Sequence, residues 1–161
     1  MDSSDPSPVT CEVSGAQPPA PSPRDEAPIA GCVDARPEVD GEQTSRLAFT
    51  PAAIALIDQL WAMHGPLMFH QSGGCCDGSA PMCYQLGEFR TGGQDVLLGT
   101  LELPPLAGEA AAREIGFWMS REQFAVWAHT HLTIDAIPGR GAGFSLEAPE
   151  GKRFLIRSRL L

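Results

Sequence analysis

The sequence predicts an α+β domain: a mostly antiparallel, short-stranded sheet with two helices, behind a disordered N-terminal tail. Three observations lead there. From Leu67 onward the apolar residues fall into short runs separated by glycine- and proline-bearing turns. Two stretches, beginning at Thr50 and Ser120, carry helix-start signals and helical apolar spacing. Residues 1–46 are rich in Pro, Ala, Ser, Asp and Glu and show no periodic apolar face. So little apolar surface cannot offset the entropy lost on ordering, so residues 1–46 are assigned to the tail and 47–161 to a single domain. Cys11 and Cys32 fall in that tail and are read as incidental thiols.

The first helix is expected over Pro51 to His64. Thr50 is a good N-cap, Pro51 suits the first helical position, and Gly65-Pro66 stops the helix. Ile54, Ile57, Leu60 and Trp61 recur at helical spacing. Leu67-Met-Phe-His70 reads as a strand, followed by a loop rich in glycine and cysteine. Tyr84 to Phe89 and Asp95 to Glu102 read as strands around a Gly92-Gly93 turn, and Arg113 to Met119 as another. Ser120 caps a short helix, with Gln123 at the capping-box position and Phe124, Trp127 and Ala128 on its apolar face. Thr130 to Ile137 alternates polar and apolar residues as a strand does. Pro138 to Gly143 is a glycine-rich turn. Phe144-Ser-Leu146 and Arg153 to Arg157 then read as a hairpin around Ala148-Pro-Glu-Gly151.

Twenty acidic residues against 11 basic ones give a formal charge of -9. That balance argues against nucleic acid and against an anionic membrane surface as partners. No apolar run has spanning length, and the N-terminus lacks a basic segment followed by an apolar one. The expected compartment is the cytoplasm, where thiols stay reduced; five cysteines, an odd number, also suit a disulfide framework poorly. A homo-oligomer is kept among the expected assemblies.

Chemistry concentrates in His64 to Tyr84. Cys75, Cys76 and Cys83 supply thiols, His64 and His70 imidazoles, Met68 and Met82 thioethers, and Asp77 a carboxylate. Gly73, Gly74 and Gly78 allow tight turns among them. Thiolate and imidazole bind soft and borderline metals, and thiolate is a strong nucleophile. The spacing is not that of a zinc ribbon. Adjacent cysteines diverge in a glycine-rich loop, so one or two of Cys75 and Cys76 would act with Cys83 and a histidine. Small buried thiols packing the loop are the plainer reading. His70, at a strand end, fits a ligand or base as well as a backbone-bonded histidine. His64 suits a helix C-terminus. His129 and His131, two apart, would share one face of an extended segment and hold a metal between them. Asp135, on the face of His131, would orient it. Gly139-Arg-Gly-Ala-Gly143 lacks a phosphate-loop context and is read as a turn.

The run His64-Gly-Pro-Leu-Met-Phe-His-Gln-Ser-Gly-Gly-Cys-Cys-Asp-Gly-Ser79, with Pro81-Met-Cys-Tyr84, resembles a small bacterial family of unknown function. Gln123 to Trp127, His129-Thr130, Pro138 to Glu147 and Arg153 to Arg159 are similar to it as well. The likeness covers about residues 50–161. Members of that family are often encoded beside aldehyde dehydrogenases, so the resemblance implies a link to aldehyde metabolism. The family often carries glutamine at the position of His131, which shifts weight to His129.

Three functional expectations follow. The first is a metal- or thiol-binding accessory protein of an aldehyde dehydrogenase. Its metal ligands would be His70, Cys75, Cys76, Cys83 and His129, holding zinc, copper or iron. The second is a small enzyme whose nucleophile is Cys75 or Cys76, acting on an aldehyde or thioester carbon with His70 or His129 as base. A docking module without chemistry, seated on a dehydrogenase, is the third.

Overall fold

The computed structural model describes residues 29–71, 79–140 and 145–161. The elements in chain order are β1 (Val33–Asp34), β2 (Arg36–Pro37), β3 (Leu47–Phe49), α1 (Pro51–His64), β4 (Leu67–Gln71) and β5 (Met82–Gln85). There follow β6 (Asp95–Leu103), β7 (Arg113–Ser120), α2 (Arg121–Trp127), β8 (Thr130–Pro138) and β9 (Lys152–Leu160). A single 3-10 turn over Ala148–Glu150 precedes β9.

The strands form two sheets, ordered β1-β3-β8-β9 and β2-β6-β7-β4-β5. The α+β class holds. The expected antiparallel pairing is right for most neighbours, but both sheets are mixed, because β3 runs parallel to β8 and β4 parallel to β7. Helix α1 carries the chain from the first sheet to the second and α2 carries it back, while β4 and β7 are connected through β5 and β6.

The helix signals work as the residues suggest. Thr50 Oγ1 accepts the Ala53 N–H at 3.1 Å, and the Gly65 N–H returns to Trp61 O at 2.8 Å. Gly65 takes φ of 81°, the left-handed region that glycine adopts without strain. Leu56, Ile57 and Leu60 point inward and are fully buried, each contributing about 1.5–3 kcal/mol. Ser120 Oγ accepts the Gln123 N–H at 3.2 Å and starts α2.

The sheets face each other across four phenylalanines: Phe49 and Phe154 from the first, Phe69 and Phe117 from the second. Phe69 meets Phe154 edge to face at 4.9 Å and stacks on Phe117 at 5.8 Å. Such contacts hold the layers in register beyond the area they bury.

Both sheet borders are joined. On one side the chain passes from β1 to β2 through buried Ala35, whose N–H donates to Leu47 O at 2.8 Å. Gly99 makes room for this passage, since a Cβ there would lie 3.0 Å from Arg36 O. On the other side the Ile156 N–H of β9 donates to Ser79 O, and the Leu146 N–H donates to Cys83 O of β5. Ser145 and Leu146 therefore attach to β5, and β9 pairs with β8 rather than closing the expected hairpin.

Strands β1 and β2 and the buried Arg46 lie inside the stretch expected to be a tail. Strands of two residues leave no periodicity in a sequence. Arg46 Nη1 donates to Ala128 O at 2.6 Å, and its guanidinium lies 5.3 Å from the Phe124 ring centre. No helix among the described residues is long and apolar enough to cross a membrane.

Candidate functional site

Strand β4 is buried on both faces. Leu67, Phe69 and Gln71 alternate with Met68 and His70. The β4–β5 register sets Phe69 opposite Cys83 and His70 opposite Met82. Opposed residues in a sheet share a face. Cys83 thus joins Phe69 in the core, whereas His70 shares the outer face with Met68, Met82 and Tyr84.

On that outer face the His70 ring is fixed from two directions. Its Nε2 lies 2.7 Å from Asp95 Oδ1. The Phe89 ring covers it, with centroids 4.1 Å apart and planes 32° from parallel, and Tyr84 packs behind Phe89 at 5.1 Å. Asp95 opens β6, and its Oδ2 accepts the Gly92 N–H at 2.9 Å. Burial pushes the Asp95 carboxyl up; the bonds from His70 and Gly92 outweigh it and hold the group below its ordinary value. The Asp95 carboxylate lies against the Nε2 edge of the ring and fixes its rotation.

The neighbouring strand completes the surface. Trp118 lies beside His70 in the parallel β4–β7 pair and opposite Leu97 across β6–β7. Gly116 accommodates the Trp118 indole: a Cβ there would sit 3.1 Å from Nε1. The outer face therefore combines an oriented imidazole with thioethers and aromatic rings.

The expected ligands do not gather as one set. Cys75, Cys76 and Asp77 lie outside the described residues. Cys83 is fully buried; burial first, and the Glu147 charge second, push its thiol well above the usual value. His129 is exposed in the turn between α2 and β8, where its carbonyl accepts the Leu161 N–H. Among the described residues no three His, Cys, Asp or Glu side chains are grouped to hold a metal, so His70, Cys83 and His129 are not one centre.

His131 is buried opposite Arg159 of β9, and its Nδ1 has no hydrogen-bond partner among the described residues. Burial first, then Arg159 and Arg46, lower its pKa against the pull of Asp34, which favours the neutral ring. Asp135 does not orient it. Asp135 Oδ1 accepts from Thr50 Oγ1 at 2.7 Å and Oδ2 from Arg157 Nε at 2.9 Å, tying α1 to β9. Behind Cys83, Ser145 Oγ accepts the Cys83 N–H at 2.8 Å and donates to the buried Glu147 carboxylate.

Asp95 and Phe89 are the site residues that sequence reasoning missed. The signal available for Asp95 was its place three residues after Gly92, at the head of an apolar run. A carboxylate there bonds back to the turn that precedes it.

The stretch that builds this site also decides the kinship of the chain. A family model described as Domain of unknown function (DUF779) matches residues 56–160. The chain belongs to the DUF779 family. The match takes in β4, Cys75, Cys76, Phe89 and Asp95, and ends at the last residue of β9. Comparison of this DUF779 protein with curated proteins and with solved structures returns no match.

Proposed function

We propose that this DUF779 protein is a metal- or thiol-binding accessory protein that acts with an aldehyde dehydrogenase. The observation that carries the proposal is the 2.7 Å contact between His70 Nε2 and Asp95. A carboxylate behind one imidazole nitrogen orients the ring and raises the basicity of the other nitrogen. That is the preparation a metal-binding histidine requires. Cys75 and Cys76 follow His70 by five and six residues and would supply the thiolates. Cys83 is left out of the proposed set because it lies on the opposite face of the sheet. Mixed thiolate and imidazole donors favour zinc, copper or iron. The link to an aldehyde dehydrogenase rests on the resemblance described above.

Metal analysis of the purified protein, before and after reconstitution, tests the site. Wild type takes up metal, and Cys75→Ser and His70→Ala take up less. Wild type that takes up none overturns the reading. Co-purification with an aldehyde dehydrogenase tests the partner.

The same contact favours a second reading. Nucleophile, base and orienting carboxylate form a recurrent catalytic unit. Cys75 or Cys76 would attack an aldehyde or thioester carbon, with His70 as base and Asp95 holding it. Rapid, stoichiometric alkylation of one of these cysteines at neutral pH supports this reading. Uniformly slow thiols exclude it.

A further inference from the structure

We propose that Arg121 is a positioning residue: it grips the turn formed by Gly92 to Asp95 and, through it, holds Asp95 against His70. The proposal deepens the metal-binding reading, from which it takes the His70–Asp95 pair as the working part of the site.

Asp95 needs support from outside its own turn. It is the first residue of β6, where the ladder with β7 ends at Ser120. Strand ends open readily when nothing beyond them is fixed. Gly92, Gly93 and Gln94 precede it and are exposed, and both glycines have open space where a Cβ would stand. Glycine loses more conformational freedom on ordering than any other residue, so such a turn is hard to hold still. The bonds inside the turn are local. The Asp95 N–H donates to Gly92 O at 3.0 Å, and the Gly92 N–H donates to Asp95 Oδ2 at 2.9 Å. They move with the turn and do not anchor it.

Arg121 supplies the anchor from another element. Its backbone N–H donates to Gln94 O at 2.8 Å, and its Nε donates to Gly93 O at 2.7 Å. One residue thus takes two successive carbonyls of the turn. Arg121 is itself held firmly. It opens α2 directly after Ser120, whose Oγ caps the helix, and Trp127 at the far end is buried in the core. A cation at the first helical position runs against the helix dipole, so α2 itself gains nothing from the charge.

The contacts reach the imidazole without a gap. Arg121 fixes Gly93 and Gln94, Gly92 orients Asp95 Oδ2, and Oδ1 lies 2.7 Å from His70 Nε2. A hydrogen bond of that length does not survive a displacement of about 1 Å, so looseness in the turn is felt at the ring.

The test compares wild type with Arg121→Met and Arg121→Lys by NMR, without added metal or substrate. Methionine keeps the stem and leaves the backbone bond to Gln94 in place; lysine returns a cationic donor. In Arg121→Met the Gly92 amide is expected to exchange about fivefold faster, the effect of one lost hydrogen bond. The Asp95 carboxyl, held below its ordinary value by His70 and Gly92, is expected to titrate closer to that value. Arg121→Lys recovers part of both changes. The buried Ile156 amide reports on global opening and stays unchanged. Changes confined to Gly92 and Asp95 support the proposal. Equal acceleration at Gly92 and Ile156, or wild-type behaviour at both Gly92 and Asp95, overturns it. Metal affinity separates this proposal from the reading beneath it. In a wild type that takes up metal, Arg121→Met weakens binding about tenfold, the low end for a residue behind a ligand, and unchanged affinity overturns the positioning role. A wild type that takes up no metal overturns the accessory reading alone, and the NMR comparison still decides whether Arg121 holds Asp95.

Discussion

The Phe89 ring lies over the His70 imidazole, 4.1 Å between centroids, while Asp95 grips the same imidazole at its edge. One residue controls access to the face of the ring and the other its rotation. Phe89→Ala therefore uncovers the imidazole without removing its carboxylate. We expect His70 to react several-fold faster with diethyl pyrocarbonate in that variant, with a loss of about 1 kcal/mol in stability. Peptide mapping by mass spectrometry and a denaturant melt give the two values.

Cys83 is the opposite case, a thiol sealed in the core with its pKa pushed up by burial and by the Glu147 charge. The thiolate is the reactive form. Cys83 should resist iodoacetamide at neutral pH in the folded protein and become labelled only after denaturation. Cys83→Ser should cost about 1–3 kcal/mol, because a hydroxyl replaces an apolar sulfur among core side chains. Labelling stoichiometry and a urea melt measure both.

Glu147 gives the protein a pH dependence with a definite sign. Burial raises its carboxyl pKa, against the Ser145 hydroxyl and the backbone N–H groups of Glu147 and Phe154, which lower it. A raised folded value means that the native state holds the proton more tightly than the unfolded chain. The contribution is complete below the unfolded value of about 4.3 and is lost as pH rises through the folded value. Glu147→Gln removes this term. Its melting temperature should change less than that of wild type between pH 4 and pH 7, measured by calorimetry at matched ionic strength.

Arg113 is a buried cation that fastens α1 to β7. Its Nη1 lies 2.7 Å from Asp58, its Nε donates to Pro104 O at 2.9 Å, and its guanidinium stands 5.6 Å from the Trp61 ring centre. Arg113→Met keeps the stem and removes the charge. Asp58 is partly exposed and can hydrate, so the expected loss is about 3 kcal/mol, at the low end for a broken buried pair. Arg113→Lys should recover only part of it, because ammonium lacks the planar fork. Chemical denaturation of the two variants measures the difference.

What the sequence disclosed depended on the range of the interaction. Thr50, Pro51 and Gly65 act within one helix, and α1 spans Pro51–His64 as those residues imply. Short apolar runs between turns placed β6 and β7, and alternation placed β8, close to their observed bounds. Strand partners are another matter. The β3–β8 pairing joins Leu47 to Leu132, and no local pattern records it. The site divides in the same way. His70 stood out as an imidazole beside thiols, whereas Asp95 reaches it across 25 positions of sequence. Cys83 looked like a companion of Cys75 and Cys76 until the register of β5 turned it inward.

The two-residue strands near the N-terminus carry an unexpected practical weight. A fragment trimmed to residues 56–160 would lack β3 and the linked pair β1–β2, which cover the flanks of β8 and β6. Two raw hydrogen-bonding margins would then stand open on one molecule, each a template for the next. Such a fragment should polymerise margin to margin, whereas residues 33–49 pair with both margins in the longer chain.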